Sequence, residues 1–140
     1  MSKHIDFIDS TLRDGQQSLW GLKMRAFEAA DALPHLKEGG YATVDLTGPG
    51  MFTVLTRDYF DDPWDTTDFL VKGLKPNNLR QGMRTDTVMG FQISPKSIIE
   101  LWVKTMIKHG VNETWTYDVT YDMEKMKWMT EVIHFIFSMS

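Results

Sequence analysis

The chain has 140 residues, 42% hydrophobic and 24% charged, with 15 Lys plus Arg against 19 Asp plus Glu and a net charge of -4. That is enough for one domain with a real core and too apolar for a disordered chain. The acidic balance and the lack of an Arg/Lys-rich run exclude a basic nucleic-acid footprint, and the absence of cysteine excludes disulfides and Cys-based zinc or iron–sulfur sites. No stretch approaches the roughly 20 apolar residues of a membrane span, and the opening MSKHIDF lacks the apolar core of a signal peptide, so a cytoplasmic location is expected.

In chain order, Ile5–Asp9 is short and apolar, the pattern of a parallel strand buried on both faces. The polar, Gly-containing loop that follows, DSTLRDGQQS over Asp9–Ser18, is the kind of segment that carries chemistry at a strand end of an α/β enzyme. Helical spacing of Met24, Phe27, Ala30, Leu33 and Leu36 predicts a helix over Lys23–Glu38, bent or shortened by Pro34 and stopped by Gly39-Gly40. Tyr41–Leu46 reads as the second strand, closed by Thr47-Gly48-Pro49-Gly50, with a weakly signalled helix over Met51–Tyr59. Asp62-Pro63 is a cap followed by Pro at the first helical position and starts a helix over Pro63–Lys72; Ser94-Pro95 repeats the signal before a helix over Pro95–His109. Leu79–Arg84 is the third strand, Thr85–Phe91 a loop, Val111–Asp118 the fourth strand, Asp122–Val132 a further helix, and Ile133–Ser138 has the composition of a fifth strand.

The strand starts near residues 5, 41, 79 and 111 recur at the period of βαβ units and predict a parallel sheet. Barrel and open doubly wound arrangements both fit this pattern, but no GxGxxG follows the first strand, so a dinucleotide-binding open sheet loses its main support. Asp9, Asp45, Arg84 and Asp118 lie at or near the ends of the four strands, where polar groups of parallel strands converge on one rim. Asp is a hard oxygen ligand for a divalent metal, Arg a planar fork for a carboxylate or enolate, and Gln a donor to a carbonyl. Together they would polarise a 2-oxo acid and stabilise its enolate. On position alone Asp9 is the natural metal ligand. The bland alternative is that each charge is merely solvated where its strand leaves the core.

Ile8–Ser18, IDSTLRDGQQS, closely resembles the first-strand motif of the carboxyltransferase domain of pyruvate carboxylase, the oxaloacetate decarboxylase α subunit and the transcarboxylase subunit, within a wider superfamily of metal-dependent lyase-type barrels. Leu19–Arg25, Gly40-Tyr41, the YFDDPW of Tyr59–Trp64, Met83-Arg84 and Tyr117-Asp118 with Asp122–Met126 continue the likeness. The resemblance implies the first four to five βα units of an eight-fold TIM-type barrel, a single partial domain over residues 1–140. It implies biotin-dependent carboxyl transfer to or from a 2-oxo acid such as pyruvate or oxaloacetate, with a Zn, Mn or Co type divalent ion. Carried over by position, Asp14 is the metal ligand, Arg13 and Gln17 bind the substrate and stabilise its enolate as catalytic residues, and Arg84 holds the substrate carboxylate. Asp9 becomes structural. Biotin would come on another domain or subunit, and a homo-oligomer or a complementing chain is expected.

The chain also departs from the pattern. Gln16 stands where many carboxyltransferases have His, and Leu46–Gly50 (LTGPG) replaces an aromatic, Gly-rich segment. The family's later metal ligands, a Lys and a His-x-His pair, have no counterpart here; His4, His35, His109 and His134 read as ordinary residues. A full barrel takes about 250 residues. A metal-dependent aldol- or Claisen-type lyase, and a non-catalytic half-barrel that pairs through its open edges, are the other readings.

Overall fold

A computed structural model of the chain describes residues 4–139. Its centre is a parallel sheet of four strands in the order β1-β2-β3-β4: β1 (Ile8–Asp9), β2 (Thr43–Thr47), β3 (Asn78–Arg84) and β4 (Glu113–Tyr117). The order follows the chain without a reversal, so there is no switch point of the doubly wound kind and the sheet advances as a barrel wall does.

Alternation along the strands fixes the two faces. Val44, Leu46, Leu79 and Met83 are fully buried in the core with Leu70 and Leu74 of α5 (Pro63–Leu74), Ile99, Val103 and Met106 of α6 (Lys96–Lys108), and Met129 and Ile136 of α7 (Met123–Ser138). The opposite face carries Thr43 and Asp45, Arg80, Gly82 and Arg84, and Glu113, Trp115 and Tyr117, matched across the strands by register. In a closed barrel this face is the interior.

Local chemistry accounts for the helix starts. Asp62 Oδ1 accepts from the Trp64 amide at 2.8 Å with Pro63 at the first turn, as the sequence predicts. Asp122 Oδ1 accepts from the amides of Glu124 and Lys125 at 3.0 and 3.2 Å and starts α7. Phe52, Trp64 and Trp102 form an aromatic cluster with ring centroids 4.7 to 5.2 Å apart, with Trp64 packed half-buried against the core.

Several expectations change. β1 is two residues long and not buried on both faces: Ile5, Phe7 and Ile8 are exposed, and among the described residues no strand pairs with its outer edge. The segment after β1 is helical, a wide π-type turn over Thr11–Gly15 running into α1 (Gln16–Trp20). The single helix expected over Lys23–Glu38 is two short ones, α2 (Ala26–Ala29) and α3 (Leu33–Glu38), with Pro34 in the first turn of the second. Met51–Tyr59 is helical as expected, as the end of α4 (Pro49–Val54) and a second π-type turn, Leu55–Tyr59. Ser94 does not cap α6; its hydroxyl accepts from the Val88 amide at 3.3 Å, and Pro95 occupies the cap position. The fifth strand expected over Ile133–Ser138 is the last part of α7. A strand would align Ile133, Phe135 and Phe137, yet Phe135 is exposed while Met129 and Ile136 are buried, the spacing of a helix. The described residues therefore supply four strands.

Candidate functional site

The π-type turn Thr11–Gly15 follows β1 directly and presents Arg13 and Asp14 on the strand-end side of the sheet. Such turns are rare and concentrate at functional positions. Leu12 faces inward and is buried, and the neighbouring Gln16 side chain is buried too, its Nε2 donating to the Leu12 carbonyl at 2.8 Å. Those two residues pin the turn, so Gln16 is structural here. Leu22 sits at φ 66 close to Gly50, where a Cβ would lie 2.7 Å from its side chain; both line the cleft described next.

A cleft of about 370 Å³ opens at the carboxyl ends of β1–β3. Arg13 and Gln17 from the segment after β1 and Arg84 from the end of β3 line it together with Arg57, Thr53 and Phe91. Three guanidiniums and one amide line the cleft, and no carboxylate is among its lining residues, the kind of donor set that suits an anion.

Each arginine is held. Arg13 pairs with the Asp14 carboxylate and lies over the Trp115 ring at 5.0 Å. Arg84 donates from Nη1 to the Gly90 carbonyl at 2.6 Å and from Nε to the Tyr117 hydroxyl at 3.3 Å, with the Phe91 ring 4.5 Å from its Cζ. Arg57 forms a forked pair with Asp58 at 2.6 and 3.2 Å, which raises the guanidinium pKa and lowers that of the carboxyl.

Beneath the cleft, Asp45 is the hub of the inner face. Arg80 Nε and Nη2 donate to its two oxygens at 2.6 and 2.8 Å, and Trp115 Nε1 donates to Oδ1 at 3.3 Å. Arg80, whose pKa this pairing raises, also lies over the Trp115 ring at 5.8 Å. The Ser10 hydroxyl is 3.1 Å from Asp45 Oδ2 and 3.2 Å from Asp14 Oδ2, and its one proton serves one of the two at a time. Trp115 occupies this place because residue 82 is glycine: a Cβ there would fall 2.6 Å from the indole.

The rim reading is corrected by this arrangement. Asp9 turns back to accept from the Thr11 amide and hydroxyl at 3.0 and 2.9 Å. Asp118 is enclosed by the hydroxyls of Thr85 and Thr120 and the amides of Thr120 and Asp122, which together hold its carboxyl below the ordinary range, the Asp122 amide most of all. Asp45 is paired with Arg80 within the sheet. Of the four strand-end residues, Arg84 alone reaches the cleft. Arg80 and Arg57 were not singled out by sequence; strand register reveals the first, and nothing in the motif marks the second.

Asp14 supplies one oxygen donor group for a metal, and its carboxylate is engaged by Arg13. Among the described residues no group of three or more His, Asp or Glu is placed to hold an ion. The donor set among the described residues does not by itself fit a divalent metal, which needs at least three or four ligands. No helix among the described residues is long and apolar enough to cross a membrane.

No protein-family model matches the chain. It is 25% identical over 123 residues to a pyruvate carboxylase subunit of Methanocaldococcus jannaschii, covering 88% of this chain and 22% of that protein. It is 21% identical over 130 residues to the corresponding pyruvate carboxylase subunit of Methanothermobacter thermautotrophicus, covering 93% of this chain and 23% of the relative. Among solved structures, the complete multifunctional pyruvate carboxylase from Rhizobium etli matches with a TM-score of 0.88 at 23% identity, over 96% of this chain and 14% of that one. The carboxyl transferase domain of the same enzyme matches with a TM-score of 0.82 over 96% of this chain and 23% of that one. The likeness read from IDSTLRDGQQS and YFDDPW is borne out along nearly the whole chain, and the fold is part of a carboxyltransferase-type barrel. The chain spans less than a quarter of the length of the curated relatives it matches.

Proposed function

We propose that the cleft is the 2-oxo acid half-site of a biotin-dependent carboxyltransferase of the pyruvate/oxaloacetate type. The observation that carries this is the convergence of Arg13, Gln17 and Arg84 on one acid-free cleft at the strand ends of a carboxyltransferase-type fold. In this reading Arg84 pairs with the substrate carboxylate. Arg13 and Gln17 donate to the C2 oxygen, where negative charge grows as the methyl carbon loses its proton or its carboxyl group, and fixed donors aimed there favour the enolate over the keto form. Biotin on a separate carrier domain or protein supplies the other participant in carboxyl exchange. Asp14 is one ligand to a divalent ion of the Zn, Mn or Co type whose remaining ligands lie outside the described residues. A complementing chain or a second copy would close the sheet edges, and a reaction of this kind fits the cytoplasm.

The test is decarboxylation of oxaloacetate to pyruvate and CO₂ by the complete assembly containing this chain. Arg84→Gln and Arg13→Gln are expected to lower kcat/KM by about 10- to 100-fold each, the loss of a charge-assisted hydrogen bond. Wild-type turnover unchanged by either substitution would refute the reading.

A further inference from the structure

We propose that Thr53 is a positioning residue for Arg84, acting through the backbone of Gly90; the role in substrate binding rests on the oxo acid reading above, while the linkage itself does not. Thr53 lies on α4 and lines the same cleft as Arg84. Its hydroxyl donates to the Pro49 carbonyl at 3.2 Å, which orients the oxygen, and that oxygen accepts from the Gly90 amide at 3.1 Å. The Gly90 carbonyl then accepts from Arg84 Nη1 at 2.6 Å. Three hydrogen bonds in series thus run from the turn after β2 to the guanidinium at the end of β3.

The link depends on the backbone at residue 90. Gly90 has φ +62, a conformation other residues rarely adopt, and a Cβ there would meet nothing within 4 Å, so glycine is required by conformation and not by space. The next residue is Phe91, whose ring covers Arg84 at 4.5 Å although it is 87% exposed to solvent. The loop is closed on itself by the Ser94 amide to the Asp86 carbonyl at 2.8 Å and by the Val88 amide to Ser94 Oγ at 3.3 Å, and Lys125 Nζ ties it to α7 through Asp86 at 3.0 Å. These ties leave the residue 90 end to be set by Thr53. Arg84 has a second restraint, the Tyr117 hydroxyl on its Nε at 3.3 Å, so loss of Thr53 frees one side of the guanidinium and keeps the other.

The experiment compares wild type with Thr53→Val, Thr53→Ala and Thr53→Ser, reading hydrogen exchange of the Gly90 amide, the Arg84 Nε–H resonance, and pyruvate affinity. Thr53→Val keeps the shape and removes the hydroxyl; Thr53→Ala also removes it should the valine variant fail to fold. Both are expected to speed Gly90 exchange by about tenfold, shift the Arg84 resonance, and weaken pyruvate binding by about three- to tenfold, the range for one net hydrogen bond. Thr53→Ser is expected to restore all three. Gly90 exchange and an Arg84 resonance unchanged in the hydroxyl-free variants, or a serine variant that behaves like valine, overturns the proposal. If wild type binds no pyruvate, the reading of the cleft fails, and the exchange and resonance data still decide the linkage.

Discussion

Asp45 should be the costliest polar residue in the chain to alter. Its side chain is 4% exposed and that of its partner Arg80 is 22% exposed. Asp45→Asn keeps the shape and removes the charge, leaving Arg80 partly solvated and facing a neutral amide whose NH₂ it repels. Removing one member of a buried pair costs ~3–5 kcal/mol, and the partial exposure of Arg80 points to the lower end. With an unfolding entropy of roughly 2.1 cal/mol/K per residue, a chain of this size loses about 10 °C in Tm for 3 kcal/mol. Thermal and denaturant unfolding of Asp45→Asn, Arg80→Met and the double variant gives the pair's coupling, expected to be on the order of 1 kcal/mol or more. The double variant should be more stable than Asp45→Asn, because no unpaired charge is left on the inner face. A Tm drop below about 3 °C in Asp45→Asn, or simple additivity, would refute the hub role given to Asp45.

Two further outcomes test the packing and the electrostatics. Gly82→Ala pushes a methyl against the Trp115 indole, whose ring is held by Asp45 and stacked on Tyr117, and is expected to cost ~1–3 kcal/mol with a change in tryptophan fluorescence; native-like stability and spectrum would contradict the close approach. Asp118 titrates below the ordinary carboxylate range in the folded chain, so the stability it contributes is present above the unfolded value near about 4 and lost as pH falls through the folded value. Asp118→Asn should therefore be less stable than wild type at neutral pH and show a flatter decline on the acid side; two parallel stability profiles would count against this.

Much of the fold was legible because its signals are local. The period of the strands, the cap Asp62 and the Gly39-Gly40 stop act within a few residues of where they are written. Ile133–Ser138 was misread because β-branched and aromatic composition was weighed above spacing, and spacing is what lets Met129 and Ile136 share one buried side of α7. The exposure of Ile5, Phe7 and Ile8 goes with an outer edge of β1 that no strand pairs among the described residues, a property of the sheet and not of the segment. In the cleft, Arg13, Gln17 and Arg84 were picked out by the resemblance of their segments to a known family, and the fold brings the three to one place. Arg80 and Asp45 meet only because β2 and β3 pair in one register, and Trp115 joins them only because a glycine faces it on β3. Thr53 reaches Arg84 across 31 residues of sequence through a main-chain peptide, a link that no side-chain pattern records.

The cleft is proposed to hold a 2-oxo acid through Arg84. Calorimetric titration of pyruvate into the wild-type chain and into Arg84→Gln measures this without a carrier or a metal. Wild type is expected to bind weakly, on the order of millimolar, and Arg84→Gln at least about tenfold more weakly, the loss of a charge-assisted contact. Equal affinity in the two proteins, or no binding by wild type, would contradict it.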